Sequence, residues 1–227
     1  SAALSRRTKA DVVLCGIECG DVAAEDLMHD GAGTRFRIRS GHQTADAELP
    51  VPGRHMVQNA LLAVAVGRTL GVSLEECANG LRSSTLTKGR LEQKVIRGVR
   101  AIDDTYNANP DSMCAALRVV ADMPVDGRRI AVLGQMAELG GESEDGHRSV
   151  GKAAAELGFD AIISFSGDAA FIADEARKCG VRDVTEAANT GEAVELLLKL
   201  ARPGDVVLVK GSRSSRMEQI LEEWSAS

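Results

Sequence analysis

Residues 205–218 read Asp205-Val206-Val207-Leu208-Val209-Lys210-Gly211-Ser212-Arg213-Ser214-Ser215-Arg216-Met217-Glu218. The run Val206–Val209 has no polar face, as expected of a strand buried on both sides in a parallel sheet. It leads into a Lys/Gly/Ser/Arg loop, and Ser215-x-x-Glu218 has the spacing of a cap for a helix reaching Trp224. Upstream, Pro203-Gly204 stops a helix over 191–201, and Gly180 stops one over 168–179. Further helices are expected over 111–122 and 144–157, with apolar strands at 129–133, 161–165 and 183–185. Glu92–Ile96 and Val99–Asp103 flank Arg97-Gly98 as a hairpin. Strands alternating with helices specify βαβ crossovers. The expected fold is therefore α/β: a Rossmann-like, mostly parallel sheet with helices on both faces.

The texture is different before the polar stretch Ser83–Gly89. Strands are expected at 11–17, at 34–40 and, more weakly, at 44–49; in the second, Phe36 and Ile38 alternate with Arg35, Arg37 and Arg39. An Ala/Leu/Val-rich helix over 56–70 ends at Gly71, and Ser73-x-x-Glu76 opens another to about Arg82. The expected organisation is two domains, 1–86 and 87–227. The chain starts without Met and at once looks mid-domain, which suggests that the first of these is a fragment.

Composition excludes more than it identifies. The 227 residues carry 27 Lys+Arg against 33 Asp+Glu, a net charge of −6, which argues against a nucleic-acid or polybasic membrane partner. Tyr106, Trp224 and 4 Phe are too few for base-stacking platforms. No apolar run approaches the ~20 residues of a membrane span. The 5 cysteines are scattered without a C-x-x-C pair, which reads as reduced thiols in a cytoplasmic protein.

In parallel sheets ligands sit beyond the carboxyl ends of strands, and three such ends stand out. In Asp103-Asp104-Thr105-Tyr106-Asn107-Ala108-Asn109-Pro110, paired carboxylates could hold ribose hydroxyls or Mg²⁺ and the Asn amides could read an adenine-like edge. The plainer reading is a turn, since Asn-Pro-Asp-Ser is good helix-start chemistry. In the second, Lys210, Arg213 and Arg216 with free N–H groups at a helix start suggest a carboxylate or phosphate site, against a solvated basic cap. It lacks the G-x-x-x-x-G-K-[ST] spacing of a nucleotide phosphate loop. The third, Leu133–Gly141, lacks G-x-G-x-x-G and reads as a glycine-bounded structural loop rather than a dinucleotide turn. His147 reads as a helix-surface residue, and no metal-ligand spacing involves His29, His42 or His55.

Several segments occur together in one order: Leu49–Leu61 (Leu-Pro-Val-Pro-Gly-Arg-His-Met-Val-Gln-Asn-Ala-Leu), Lys88-Gly89-Arg90, Asp103–Ser112, Leu133–Gly140, His147-x-x-Val150-Gly151 and Val209–Arg213. Together they resemble the Mur ligases of peptidoglycan synthesis over nearly all of the chain after Thr8. The Asp103–Pro110 and Lys210–Arg213 segments resemble the branch that adds D-alanyl-D-alanine to UDP-N-acetylmuramoyl-tripeptide. The resemblance implies ATP and Mg²⁺, an acyl phosphate on the tripeptide and attack by the dipeptide amine, in a monomeric bacterial cytoplasmic enzyme. It places Asn59 at adenine, Arg90 and Asp104 at ribose or phosphates, and Tyr106, Asn107 and Asn109 on the nucleotide face. Lys210, Ser212 and Arg213 would sit by the dipeptide. Met56 stands where the family pattern has Asn, and Gln135 where it has Asp. The family's phosphate loop, Mg²⁺ ligands, modified lysine and UDP-sugar domain would lie upstream. Residues 1–86 then resemble the tail of the central ATP-binding domain and 87–227 the C-terminal domain. No catalytic residue is assigned, and the chain alone is expected neither to hydrolyse ATP nor to form the amide. The rival readings are another ligase of the superfamily, such as a folylpolyglutamate synthase, or a stand-alone Rossmann-like binding module. A Rossmann oxidoreductase fits less well, because its glycine fingerprint is missing.

Overall fold

The computed structural model describes residues 8–29, 33–84 and 88–227. The chain divides into two compact units, Ser1–Thr85 and Leu86–Ser227. The expected boundary at residue 86 lies outside the described residues.

In the first unit a sheet of order β1-β2-β3-β4 is formed by Cys15–Ile17, Val22–His29, Thr34–Ser40 and Gln43–Leu49. The β1/β2 pair is parallel, and β2/β3 and β3/β4 are antiparallel. Helices α1 (Arg54–Thr69) and α2 (Leu74–Arg82) complete it. As the alternation requires, Phe36 and Ile38 are buried while Arg37 reaches Asp26 at 2.9 Å and Arg39 reaches Glu25 at 2.7 Å. Ser73 and Glu76 form the expected reciprocal cap of α2. Two expectations are corrected here. The strand over 11–17 shrinks to Cys15–Ile17, and β2 carries no sequence signal that announced it. Its Val22-Ala23-Ala24 start is buried without alternation, and a bulge at Glu25/Met28, with Asp26 at φ 54°, breaks the period of two.

The second unit holds a sheet of order β5-β6-β10-β7-β8-β9, formed by Glu92–Ile96, Val99–Asp104, Val206–Lys210, Arg129–Gly134, Ala161–Phe165 and Asp183–Ala187. Only the β5/β6 hairpin is antiparallel, and its turn residues Arg97 and Gly98 both have positive φ (54° and 78°), as a tight two-residue hairpin demands. Between the strands run α3 (Pro110–Ala121), α4 (Ser143–Glu156), α5 (Ala170–Lys178) and α6 (Thr190–Leu200), with α7 (Glu218–Ala226) last. Helices α6 and α7 pack together over one face, where Val194, Leu197, Ile220 and Trp224 meet Ala101, Ile130, Val132, Ile163, Val207 and Val209. The alternate strand residues Ile102, Ala131, Leu133, Ile162 and Leu208 are equally buried and face the other layer, α3, α4 and α5. Burial on both faces is why these strands read as unbroken apolar runs.

Close backbone approaches fix the layers. A Cβ on Gly151 of α4 would collide with the Ile172 carbonyl oxygen of α5, so only glycine admits this helix contact. At the entrance to β10 the buried Asp205 accepts the Arg128 and Arg202 backbone N–H groups and pairs with the Arg128 guanidinium at 2.9 Å. Burial alone would raise its pKa, but these donors hold it below the ordinary carboxylate value.

The expected start of the last helix is also corrected. Residues 213–215 form a 3-10 turn, Arg216 is left-handed (φ 47°), and α7 begins at Glu218 without a side-chain cap. Ser215 Oγ is buried with no hydrogen-bond partner, so Ser215 and Glu218 do not form the expected cap.

Candidate functional site

Strands β6 and β7 pass the chain to α3 and α4 on one face of the sheet, whereas β10, lying between them, passes it to α7 on the other. Neighbouring strand ends that depart in opposite directions leave a crevice between them, the topological switch point at which open α/β sheets bind ligands. A cleft of 510 Å³ lies there, lined by Tyr106–Asn109 after β6, Ala137–Leu139 after β7 and Ser212–Ser214 after β10. The structure thus brings Tyr106, Asn107, Asn109, Ser212 and Arg213 to one place.

The β6 side is built around a buried ion pair. Lys210 and Asp104 are register partners on adjacent parallel strands. Lys210 Nζ lies 2.7 Å from Asp104 Oδ2 and donates to the Asn107 carbonyl at 2.8 Å, with side chains 3% and 13% exposed. Lys210, expected at the anion site, is thus paired within the protein, through Asp104 and the Asn107 carbonyl. The second carboxylate oxygen of Asp104 accepts the Leu91 N–H at 3.1 Å. Asp103 is buried and bonds Lys94 Nζ at 2.7 Å and Thr105 Oγ1 at 2.7 Å, so the Asp-Asp pair is not a free chelate. Burial opposes the Lys94 charge, but hydrogen bonding and attraction to Asp103 and Glu92 raise its pKa. Asn109 caps α3: its Oδ1 accepts the Ser112 N–H at 2.8 Å, while Ser112 Oγ accepts the Asn109 N–H at 3.0 Å. The plainer helix-start reading holds for its side chain.

The Lys88-Gly89-Arg90 segment joins this side. The Gly89 carbonyl accepts the Tyr106 N–H at 2.9 Å, and the Arg90 guanidinium lies 4.5 Å from the centre of the half-exposed Tyr106 ring. Asn59 sits on the exposed face of α1 in the first unit, and Met56 is half-buried there.

The β7 side was read as a structural loop and proves to be a wall of the cleft. It is pinned twice. The Ser212 N–H donates to the Gln135 carbonyl at 3.0 Å, tying β10 to β7. His147 Nε2 accepts the Met136 N–H at 2.9 Å, and Nδ1 lies 2.7 Å from the Ser143 carbonyl, a pairing that assigns the neutral Nδ1–H tautomer. His147 is fully buried, which corrects the surface reading. The missed signal was its spacing: His147, Val150, Gly151 and Ala154 share one buried helical face. Glu138 also escaped the sequence reading; it is exposed, adopts φ 67° and lies against the cleft. Gly134 and Gly211 close the floor. A Cβ on either would lie 2.8 Å from buried Met217.

Among the described residues no group of three or more His, Cys, Asp or Glu side chains could hold a metal ion. None of their helices is long and apolar enough to cross a membrane, and the five cysteines are unbridged.

Fold and cleft define a class: a Rossmann-like α/β domain with a polar cleft at its switch point, where open α/β sheets take ligands. Comparison with known proteins narrows it. The family model for the Mur ligase, glutamate ligase domain, matches residues 89–213, and the chain belongs to the Mur ligase family. The UDP-N-acetylmuramoyl-tripeptide–D-alanyl-D-alanine ligase of Escherichia coli is 37% identical over 203 residues, covering 88% of this chain and 44% of that enzyme. A crystal structure of MurF from Acinetobacter baumannii superposes with TM-score 0.84 at 33% identity, covering 93% of this chain and 46% of that one. The MurF ligase of Thermotoga maritima in complex with ADP gives TM-score 0.79 at 25% identity, covering 94% and 48%. The chain thus spans less than half the length of these relatives.

Proposed function

We propose that this chain is the C-terminal part of an ATP-dependent amide ligase that joins D-alanyl-D-alanine to UDP-N-acetylmuramoyl-tripeptide, in the bacterial cytoplasm. Residues 1–86 are read as the tail of its ATP-binding domain and 87–227 as the domain that receives the dipeptide. The observation that carries the reading is the convergence of the two family segments, Asp103–Ser112 and Val209–Arg213, on one cleft at the switch point.

The chemistry asks little of a nucleophilic side chain. ATP phosphorylates the tripeptide carboxylate, the dipeptide amine attacks that acyl carbon, and inorganic phosphate leaves. Rate comes from positioning and from neutralising charge. Ser212 and Arg213 offer a hydroxyl and a guanidinium to the dipeptide. Lys210 acts from beneath, holding Asp104 and the Asn107 backbone in place. Arg90 and Tyr106 present a stacked cation and ring to the nucleotide, beside Asn107 and Asn109. By resemblance Asn59 is assigned to adenine, and Arg90 and Asp104 to the ribose or phosphates. No described residue is assigned to Mg²⁺.

The test is phosphate release by the whole enzyme that contains this chain. Release that requires both UDP-N-acetylmuramoyl-tripeptide and D-Ala-D-Ala is the expected result. Release supported by glutamate or another single amino acid but not by D-Ala-D-Ala overturns the reading.

A further inference from the structure

The cleft's lining carries two ionised side chains, Glu138 and Arg213, of opposite sign. The rest of it is neutral, including the small apolar groups Ala108, Ala137 and Leu139. The Lys210–Asp104 pair beneath cancels its own charge. Such a cavity is dipolar, not cationic. A zwitterion with methyl side chains finds a partner for each end there.

Glu138 combines two features. It has no ion pair or hydrogen bond among the described residues. It also holds a left-handed backbone at φ 67°, which a residue with a Cβ adopts at a cost. The conformation is imposed from both sides. The chain before it is fixed by the Ser212–Gln135 and Met136–His147 hydrogen bonds, and the chain after it by the Glu142 N–H to Leu139 carbonyl bond at 3.1 Å. Strain that persists because neighbouring contacts over-determine it is a mark of functional placement. Across the cleft Arg213 is two-thirds exposed and makes a single long contact, 3.3 Å to Glu218, so its guanidinium retains donors for a carboxylate.

We infer that Glu138 recognises the ammonium group of a small zwitterionic dipeptide whose carboxylate faces Arg213, so that the β7 loop sets specificity for a free amine. This rests on the ligase reading and deepens it.

Calorimetric titration of this chain with D-Ala-D-Ala and with N-acetyl-D-Ala-D-Ala tests the assignment. The free amine is expected to bind about tenfold or more tightly than the acetylated peptide, as one charge-assisted contact warrants. Glu138→Gln should erase that preference while leaving affinity for the acetylated peptide unchanged. Arg213→Gln should weaken both peptides alike. A preference that survives Glu138→Gln, equal binding of the two peptides to the unaltered chain, or no binding of D-Ala-D-Ala overturns the inference. The whole enzyme separates this from the larger reading. If phosphate release depends on D-Ala-D-Ala but Glu138→Gln leaves the dipeptide KM unchanged, the subsite is wrong and the ligase stands. If release never depends on the dipeptide, the ligase reading itself has failed.

Discussion

The loop after β6 is held by charge, through Lys210, Asp104 and the Asn107 carbonyl, whereas the loop after β7 is held by a neutral imidazole and backbone hydrogen bonds. Both lie at the carboxyl ends of buried strands and both face one cleft. On the β6 side, the ionisable groups that stand out in the sequence are committed inward: Asp103 to Lys94, Asp104 to Lys210. On the β7 side the buried group is uncharged and the ionised one, Glu138, is left outside and unpaired. A conspicuous charge at a strand end is thus as readily a brace as a ligand. Burial and pairing decide between them.

The contrast breaks first at Lys210. Lys210→Met leaves the Asp104 carboxylate without its partner, and urea unfolding is expected to show a loss of about 3–5 kcal/mol, the usual cost of half a buried pair. The double change Lys210→Met with Asp104→Leu should recover much of that loss. His147→Ala comes next. It strands the Met136 N–H and empties a fully buried position, for about 2–3 kcal/mol by the same measurement, with no dependence on salt. If the Lys210 and His147 variants prove equally salt-sensitive, the distinction between a charged and a neutral brace is lost.

Asp205→Asn sharpens the comparison through pH. The folded-state pKa of Asp205 lies below its unfolded value, so its contribution to stability is present above the unfolded value and disappears as pH falls through the folded one. The unaltered chain should lose stability on acidification below about pH 4, the ordinary carboxylate range, more steeply than Asp205→Asn. Parallel acid limbs would count against it. The smallest effect has the opposite sign. Glu138→Gly relieves the left-handed strain and should change stability by no more than about +1 kcal/mol, while removing discrimination for the dipeptide amine.

Periodicity and breakers make the architecture of residues 88–227 legible in the sequence alone, because strands buried on two faces and helices stopped by Gly180 or Pro203-Gly204 leave little ambiguity. Strand β2 was illegible because its bulge destroys alternation, and α7 was placed early because Ser215 mimics a cap that a 3-10 turn pre-empts. At the site, the three strand ends singled out in the sequence line one cleft, and the buried helical face of α4 could have revealed His147. Nothing local could show that Lys210 spends its charge on Asp104, since that pairing depends on β10 lying beside β6 across more than a hundred residues of chain.

The order of the strands has one more consequence. The four inner strands of the larger sheet are almost entirely apolar in their middles, yet both outer ones, β5 with Glu92 and Lys94 and β9 with Asp183 and Glu186, carry charge. An added strand laid along either border would have to strip water from those groups. The sheet therefore ends itself: its composition grades from hydrocarbon at the centre to electrolyte at the margins, and a domain built around so adhesive an interior can stay dispersed without a covering segment on its borders.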